Sequence, residues 1–286
     1  MDGNETGRRA HMTRPDGDAD SVEPEVAPAD EEETFDRTID EGRQRLGRSW
    51  LQLIATGMLG GLDIGVGVLT YLLVKHLTGD PLLSALAFVI GFIALTMAKS
   101  ELFTENFLVP VAAVVAKEAT VAALVRLWGT TLVTNLAAGW FIAALLMLAF
   151  PDLRRTAAET ATDYVGLGTT WQAFALAVVG GMLVTLMTHL QHSTDSDGLR
   201  LVPAVIIGFT LSVGHINHAI VSTIFCFAAL VSGASFGYVD VADMLWLAIL
   251  GNAVGGLGLV TVLRLMQVPH KVAEARDDTR PTPQPR

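Results

Sequence analysis

The chain has 286 residues, of which 51% are hydrophobic and only 17% are charged, and its formal net charge at pH 7 is -10. The apolar residues are gathered in long runs rather than at amphipathic spacing, which excludes an ordinary water-soluble fold and indicates an integral membrane protein. The few Lys and Arg residues of the apolar part are scattered and form no basic stripe, so a nucleic-acid partner is excluded.

The N-terminal 47 residues form an acidic tail that is distinct from the rest of the chain. Residues 2–41 alone contain fourteen Asp and Glu residues against four Arg. A segment of this composition cannot bury enough apolar area to offset its ordering entropy, so residues 1–32 are predicted to be disordered. The end of the tail is predicted to form a helix at the cytoplasmic membrane interface. Its apolar side would carry Phe35, Ile39 and Leu46.

Six apolar segments follow the tail. About twenty residues span the hydrocarbon core, so these segments predict an all-α membrane domain of six transmembrane helices over residues 48–268. Residues 269–286 form a C-terminal tail. Basic residues near the helix ends favour cytoplasmic N- and C-termini. The segments have approximate bounds of 49–74, 82–116, 121–150, 171–190, 201–232 and 244–266.

The second and fifth apolar segments are each interrupted midway by a polar cluster. The first cluster runs from Lys99 to Asn106 and the second from His215 to His218. Irregular backbone and charge at bilayer depth are tolerated only where they are buried in protein or line an aqueous cavity. The two broken helices therefore predict the path of a small solute.

A repeated element relates the two halves of the membrane domain. Asn135 to Gly139 in the third segment and Asn252 to Gly256 in the sixth each lie about thirty residues after an interruption. The repeat predicts two halves of three helices each, and an odd number of crossings inverts one half relative to the other. Both interruptions should then meet around one pore.

Two single residues in the apolar segments carry reactive or charged groups. Asp63 lies in the glycine-rich part of the first segment. An acid in a membrane span suggests function, whereas the glycines suggest close packing in which Asp63 bonds to a neighbour; both interpretations stay open. Cys226 has no partner in the chain, so no intrachain disulfide is possible.

No cofactor or metal site is predicted, and neither is catalysis. One group of His and Asp residues resembles a metal cluster in composition, but we interpret it as a solvated cytoplasmic loop. An enzyme is improbable because no nucleophile and base pair, metal site or phosphate loop is visible. The group comprises His189, His192, Asp195 and Asp197.

Three motifs together resemble the formate/nitrite transporter family. They are Leu102 to Thr104 after an acid, the Gly-x-x-x-His pattern of Gly214 to His218, and Asn252 with the Gly-Gly element. The resemblance covers residues 48–268, and the acidic tail is most similar to that of a less characterised subgroup. It implies a homopentamer in the cell membrane, whose protomers have an aquaporin-like hourglass fold. Each protomer would have one pore that conducts small monovalent anions or their neutral acids.

The resemblance also implies roles for individual residues. His218 matches the central pore histidine of the family, Thr104 the loop threonine that faces it, and Asn252 the asparagine of the sixth helix. The pore would be narrowed by apolar side chains on both sides of His218. These are Phe92, Leu102 and Phe103 on the cytoplasmic side, and Phe88 and Leu211 on the periplasmic side.

Three positions depart from the pattern of the formate channels in this family. Asn217 replaces an acidic residue just before the histidine, Thr169 stands where a lysine is found, and Thr185 replaces an asparagine of the fourth helix. The carried species therefore stays open among formate, nitrite, hydrosulfide, acetate, lactate and related acids.

A mechanism can be argued from the residues alone. A small anion in a low-dielectric constriction loses its hydration, so its neutral acid passes far more easily. Imidazole titrates near neutrality and is a natural proton donor. We expect His218 to lend or give a proton to the anion while Thr104 adds a hydroxyl hydrogen bond. The apolar constrictions would exclude hydrated ions.

Several alternatives stay open. Lys99, Glu101 and Glu105 either attract ions at the inner mouth or pair among themselves. Asn135 and Asn252 either line the path or only satisfy backbone groups freed by the breaks.

A proton and anion symporter would use the same residues as a channel. A non-conducting membrane scaffold or sensor could instead act through the acidic tail. The absence of an Asn-Pro-Ala signature from both breaks argues against an aquaporin-like pore for neutral solutes.

Overall fold

A computed structural model describes residues 31–278, so the predictions for residues 1–30 and 279–286 lie outside the described part. Within residues 31–278 the regular structure is entirely helical. Two short 3₁₀ helices, Phe103–Phe107 and Pro151–Leu153, and one π-helical stretch, Val254–Thr261, accompany the α-helices. The α-helices are α1 (Glu31–Leu46), α2 (Trp50–Thr78), α3 (Pro81–Ala98), α4 (Val109–Val115), α5 (Val121–Ala149), α6 (Arg154–Val165), α7 (Trp171–His192), α8 (Asp197–Val213), α9 (Ala219–Val231), α10 (Tyr238–Ala253), α11 (Val262–Gln267) and α12 (Pro269–Asp278).

Five helical stretches in the described residues are long and apolar enough to cross a membrane. They confirm the prediction of an all-helical membrane protein. The fifth apolar segment is not among them, because it is divided between α8 and the shorter α9. The five stretches are Trp50–Thr78, Pro81–Ala98, Val121–Ala149, Trp171–His192 and Tyr238–Gln267.

Local sequence sets the ends of the membrane helices. Ser49 accepts a hydrogen bond from the backbone N–H of Gln52, whose side chain accepts one from Ser49 in return, and this capping box starts α2. Gly79 ends α2 in the left-handed conformation at φ 68°. Asp80 then caps α3 just before a proline at the first helical position.

Both interrupted segments break and restart as helices. Helix α3 ends at Ala98, and α4 begins at Val109 after ten intervening residues that include the 3₁₀ helix. Helix α8 ends at Val213 and α9 begins at Ala219. Lys99 and His215, near the start of each break, have positive φ angles of 52° and 44°. The chain therefore leaves the helical conformation abruptly at both places.

Helix α1 packs against the membrane helices through its apolar side. Phe35 and Ile39 lie in one cluster with Ala116 and Val268, and Leu46 packs in a second cluster that includes residues of α2 and α5. The predicted apolar side of this helix is therefore buried against protein. We call the end of the bundle that carries α1 the α1 side, and the end that carries α6 the α6 side.

Candidate transport site

The two interruptions meet at a hydrogen bond between Thr104 and His218. Thr104 Oγ1 lies 2.6 Å from His218 Nε2, and both residues are fully buried. His218 also caps α9, because its Nδ1 accepts the backbone N–H of Val221 at 3.3 Å. In a neutral imidazole one nitrogen donates and the other accepts. The ring proton therefore sits on Nε2 and is donated to Thr104.

Asn135 of α5 holds the first interruption against α2. Its Oδ1 accepts the backbone N–H of Phe103 at 2.8 Å. Its Nδ2 donates to the carbonyl oxygens of Gly57 at 2.7 Å and Glu101 at 2.9 Å. Asn135 and the three residues that it bonds are all buried. This one side chain therefore satisfies three backbone groups that would otherwise lack partners.

Asn252 of α10 holds the second interruption in the same way. Its Oδ1 accepts the backbone N–H of Ala219 at 2.9 Å, and its Nδ2 donates to the carbonyl oxygens of Ala177 at 2.7 Å and Asn217 at 3.1 Å. Each bond has a counterpart at Asn135, with α7 in the place of α2. The two sets of hydrogen bonds therefore match one for one. We call each asparagine, together with its three backbone partners, an asparagine clamp.

The backbone approaches each clamp closely at a glycine. A Cβ on Gly60 of α2 would collide with the carbonyl oxygen of Glu101, and a Cβ on Gly180 of α7 would lie 2.8 Å from the carbonyl oxygen of Asn217. Only glycine permits this approach, because real Cβ atoms do not come so near a carbonyl oxygen. The glycines thus bring α2 and α7 within reach of the interruptions.

The five predicted constriction residues all belong to one buried apolar cluster. The rings of Phe88 and Phe92 lie 5.9 Å apart and both are fully buried. Leu102 and Leu211 are fully buried as well. Phe103 is 6% exposed and packs edge to face on Phe107 rather than on this aromatic pair. Their role as constrictions stays a prediction.

Glu101 pairs with two arginines at the end of the N-terminal tail, not with Lys99. Its carboxylate lies 3.1 Å from Arg45 Nε and 2.5 Å from Arg48 Nη1, and the side chain is 3% exposed. Its acidic neighbour Glu105 turns inward, where it accepts the backbone N–H of Leu102 at 2.7 Å. Glu101 is thus paired with α1 and Glu105 with the backbone of its own loop, while Lys99 stays exposed.

Arg45 joins α1 to the 3₁₀ helix that carries Thr104. Besides Glu101, its guanidinium bonds to Glu41 and donates to Asn106 Oδ1 at 3.3 Å. Burial would lower the pKa of Arg45, but its acidic neighbours, first of all Glu101, raise it. The residue is only 8% exposed. A buried charge of this kind depends on its partners.

Glu41 links the same network to the end of α7. Its carboxylate bonds to Arg45 and lies 2.7 Å from His192 Nε2. His192 Nδ1 lies 2.6 Å from the carbonyl oxygen of Thr188, so both ring nitrogens donate only when the ring is doubly protonated. Burial would raise the pKa of Glu41, but Arg45 and His192 hold it well below its usual range. The ion pair with Arg45 is therefore kept through the usual range of carboxyl titration, whereas the pair with His192 requires a protonated ring.

Replacing Arg45 by Met should destabilise the protein. The change leaves the buried Glu101 with one partner fewer and also removes the pair with the half-buried Glu41, and we expect a loss of about 3 kcal/mol in the free energy of unfolding. Thermal unfolding in detergent would measure it. The matched control is Arg43→Met, because the Arg43 pair with Asp40 is exposed and should contribute less than about 0.5 kcal/mol. Equal effects of both changes would contradict the assignment.

A cavity of about 500 Å³ lies on the α1 side, between α1 and the first interruption. Charged side chains of both signs line it, and the apolar residues at its wall come from the end of α3. Such a water-accessible space beside Glu101 gives the first interruption contact with solvent. Lining residues include Arg45, Arg48, Lys99, Ser100, Glu101 and His192.

The remaining candidates lie at or near the site. Asn217 is buried, and its Oδ1 has no hydrogen-bond partner among the described residues. Asp63 accepts a hydrogen bond of 2.5 Å from Ser100 Oγ, so it does bond a neighbour at the first interruption. Cys226 is a free, buried thiol.

The His and Asp group near the end of α7 does not form a metal site. Within residues 31–278 no three His, Cys, Asp or Glu side chains are grouped to hold a metal ion. Asp195 instead pairs with Arg37 at 2.9 Å, and Asp197 lies 3.5 Å from Arg200. These groups and His192 therefore serve to fix α1 and the α7 to α8 loop.

Arg45 and Arg48 are the site-forming residues that the sequence analysis missed. Their spacing of three residues at the start of the first span was visible, but their partner Glu101 lies more than fifty residues away. That contact depends on tertiary packing.

The chain was compared with known families, proteins and structures. A family model described as formate/nitrite transporter matches residues 32–266. The inner membrane protein YfdC of Escherichia coli (strain K12) is 25% identical over 252 residues, which cover 82% of this chain and 78% of that protein. The match confirms the resemblance found from the motifs.

Two solved structures share the fold. A protein described as an FNT family ion channel superposes with a TM-score of 0.71 at 16% identity, over 82% of this chain and 98% of that one. A pentameric formate channel with formate bound gives a TM-score of 0.64 at 22% identity, over 77% and 98%. At these identities the likeness concerns the fold alone. With a family model that matches most of its length, the chain is a multi-pass membrane transport protein rather than an enzyme, and it belongs to the formate/nitrite transporter family.

Proposed function

We propose that the protein carries small monovalent anions, or their conjugate weak acids, across the cell membrane with proton assistance from His218. The observation that carries this proposal is the 2.6 Å hydrogen bond between Thr104 and His218, where the two chain interruptions meet. A titratable ring buried at such a junction is a functional group by default. The pentameric formate channel of the same fold makes formate the first substrate to test.

The hydrogen bonds of His218 define what it can offer an anion. Its neutral ring presents Nε2–H toward Thr104, and an anion that arrives there can accept this hydrogen bond in place of the hydroxyl. Complete proton transfer requires a ring that has first gained a second proton on Nδ1, with loss of the hydrogen bond from the N–H of Val221; the imidazolium then gives its Nε2 proton to the anion and is left as the neutral Nδ1–H tautomer. The neutral acid leaves through apolar surroundings at far lower desolvation cost than the anion.

The side chains beside His218 supply selectivity in this proposal. Phe88, Phe92, Leu102 and Leu211 form narrow apolar passages that a hydrated ion cannot cross. Phe103 lies beside them. Lys99 attracts anions into the α1-side cavity, where Glu101 and Glu105 are already engaged by α1 and the backbone.

We propose six crossings, two inverted halves and five copies for the assembly. Helices α8 and α9 together form the fifth crossing. The matching bonds of Asn135 and Asn252 support halves that are related by an axis in the membrane plane. The pentameric relative supports a homopentamer with one pore per protomer. Basic residues around α1 support cytoplasmic N- and C-termini.

Uptake into proteoliposomes tests this function. Formate, nitrite, hydrosulfide, acetate and lactate would be offered over a range from about pH 5 to pH 8, which brackets the histidine titration. We expect saturable flux of at least one acid, above that of protein-free vesicles, that rises with acidity. Flux driven by a proton gradient against the anion gradient would identify a symporter rather than a channel.

A non-conducting scaffold or sensor is the alternative. One observation favours it: Thr104, His218 and the residues of both narrow passages are fully buried, and α1 is held across the α1-side cavity by ion pairs. Absence of flux for every acid, from a preparation whose pentameric state is verified, would support this alternative and contradict transport.

A further inference from the structure

The two breaks each place a basic residue in the left-handed conformation at the same position. Lys99 precedes Leu102 by three residues, and His215 precedes His218 by three. The asparagine clamps establish the correspondence. Asn135 bonds to the backbone of the residues two and four positions after Lys99, and Asn252 bonds to the backbone of the residues two and four positions after His215. Residues with a Cβ rarely adopt this conformation. Lys99 lines the α1-side cavity, which leaves the role of His215 to be explained.

His215 faces α6 on the other side of the bundle. Its ring centre lies 5.7 Å from that of Tyr164, and its Nδ1 lies 3.5 Å from the carboxylate of Asp163, which is within ion-pair range. Its side chain is 30% exposed. Tyr71 of α2 and Cys226 of α9 lie near Tyr164. Asp163 is thus the one charged partner recorded for His215 among the described residues.

Aromatic contacts lead from His215 inward to the proposed constriction. Tyr164 stacks on Phe225 at 5.8 Å, and Phe225 lies 5.9 Å from Phe88. His215 therefore stands just outside the passage at Phe88. Other basic side chains of the α6 side are directed elsewhere: Lys75, His76 and Arg155 line a separate cavity of about 620 Å³ with two acids.

We propose that His215, oriented by Asp163, binds the carried anion at the α6-side mouth before it enters the constriction. The ligand class is a small monovalent oxyanion, and the inference rests on the proposed function. Asp163 lies 3.5 Å from the buried Nδ1, which makes no hydrogen bond to the described residues, so the ligand would meet the ring at Nε2. When the ring is protonated, Nε2–H donates a charge-assisted hydrogen bond to the anion. Capture therefore strengthens as the pH on this side falls.

Exchange of labelled formate tests this inference. Concentration and pH are kept equal inside and outside proteoliposomes, so that protein orientation does not affect the result. His215→Asn keeps a residue that tolerates the left-handed conformation. We expect it to raise the half-saturating formate concentration about tenfold near pH 5.5, with little change near pH 8. The maximal rate should stay within about twofold, because His218 is untouched.

Three further variants separate binding from structure. His215→Lys should keep a low half-saturating concentration at every pH, because lysine remains charged. Asp163→Asn should raise the half-saturating concentration near pH 5.5, because the ring loses the carboxylate that orients it. His76→Gln, a matched change at another histidine of the α6 side that contacts Thr156, should alter neither quantity.

Two outcomes would overturn the inference. One is an unchanged half-saturating concentration for His215→Asn near pH 5.5 in a protein that still exchanges formate. The other is a fall in maximal rate alone for both His215 variants, which would indicate a structural role. If the native protein exchanges no formate at any pH, the proposed function fails for this substrate and the inference fails with it.

Discussion

Replacing His218 by Asn is expected to remove the acid dependence of anion flux while the protein stays folded. Asparagine is among the best N-cap residues, so its Oδ1 can accept the N–H of Val221 that His218 Nδ1 now accepts. It lacks a titratable proton at the position of Nε2. Flux near pH 5.5 should fall about a hundredfold, the typical contribution of a positioned proton donor, and become flat with pH.

The control for this prediction is a histidine that lies away from the two breaks. His76→Gln should leave the pH profile of the native protein unchanged. His218→Phe should also flatten the profile, but with additional loss of stability, since it removes the cap on α9 that Asn can replace. A profile that still rises with acidity in His218→Asn, after subtraction of flux through protein-free vesicles, would refute proton assistance by this residue.

Changing either clamp asparagine to Asp should destabilise the fold more than any other single polar substitution discussed above. In Asn135→Asp the Oδ1 contact with Phe103 survives, but the donor to Gly57 and Glu101 is lost. Two buried carbonyl oxygens then face a carboxylate oxygen. We expect a loss of about 3–5 kcal/mol in the free energy of unfolding, measured by thermal or denaturant unfolding in detergent.

The matched clamp provides an internal comparison. Asn252→Asp should cost a similar amount, because it removes the donor to Ala177 and Asn217 in the same geometry. Thr130→Val is the control on α5, since its hydroxyl bonds only within its own helix, to the carbonyl oxygen of Arg126. A large difference between the two asparagine variants, or a control as unstable as either, would contradict equivalent clamps.

Much of the fold could be predicted because hydrophobicity and helix ends are local properties. The first apolar segment, 49–74, corresponds to α2 at Trp50–Thr78, and both interruptions were evident from charge within apolar runs. Helix α6 was missed, because its mean composition is polar. Its buried residues nevertheless recur with helical spacing, as in Thr156, Thr160 and Tyr164, so periodicity in that loop could have revealed it.

The site was less accessible to sequence reasoning, because its contacts join distant residues. The prediction that Thr104 faces His218 came from the family resemblance, since no spacing rule connects residues 114 positions apart. Asn135 and Asn252 were selected by their repeat, but the choice between a path-lining and a structural role needed their three backbone partners. The association of Arg45 with Glu101 requires the packed position of α1, which composition could not supply.

The cap that His218 forms on α9 also limits the leakage of protons across the membrane through this protein. For protons to hop through an imidazole, one nitrogen must receive a proton while the other releases one. Here Nδ1 is committed to the N–H of Val221, so each hop would first open the initial turn of α9. Without an anion as cargo, the ring is a poor link in a proton wire. A cell could therefore keep this pathway in its membrane without short-circuiting its proton-motive force.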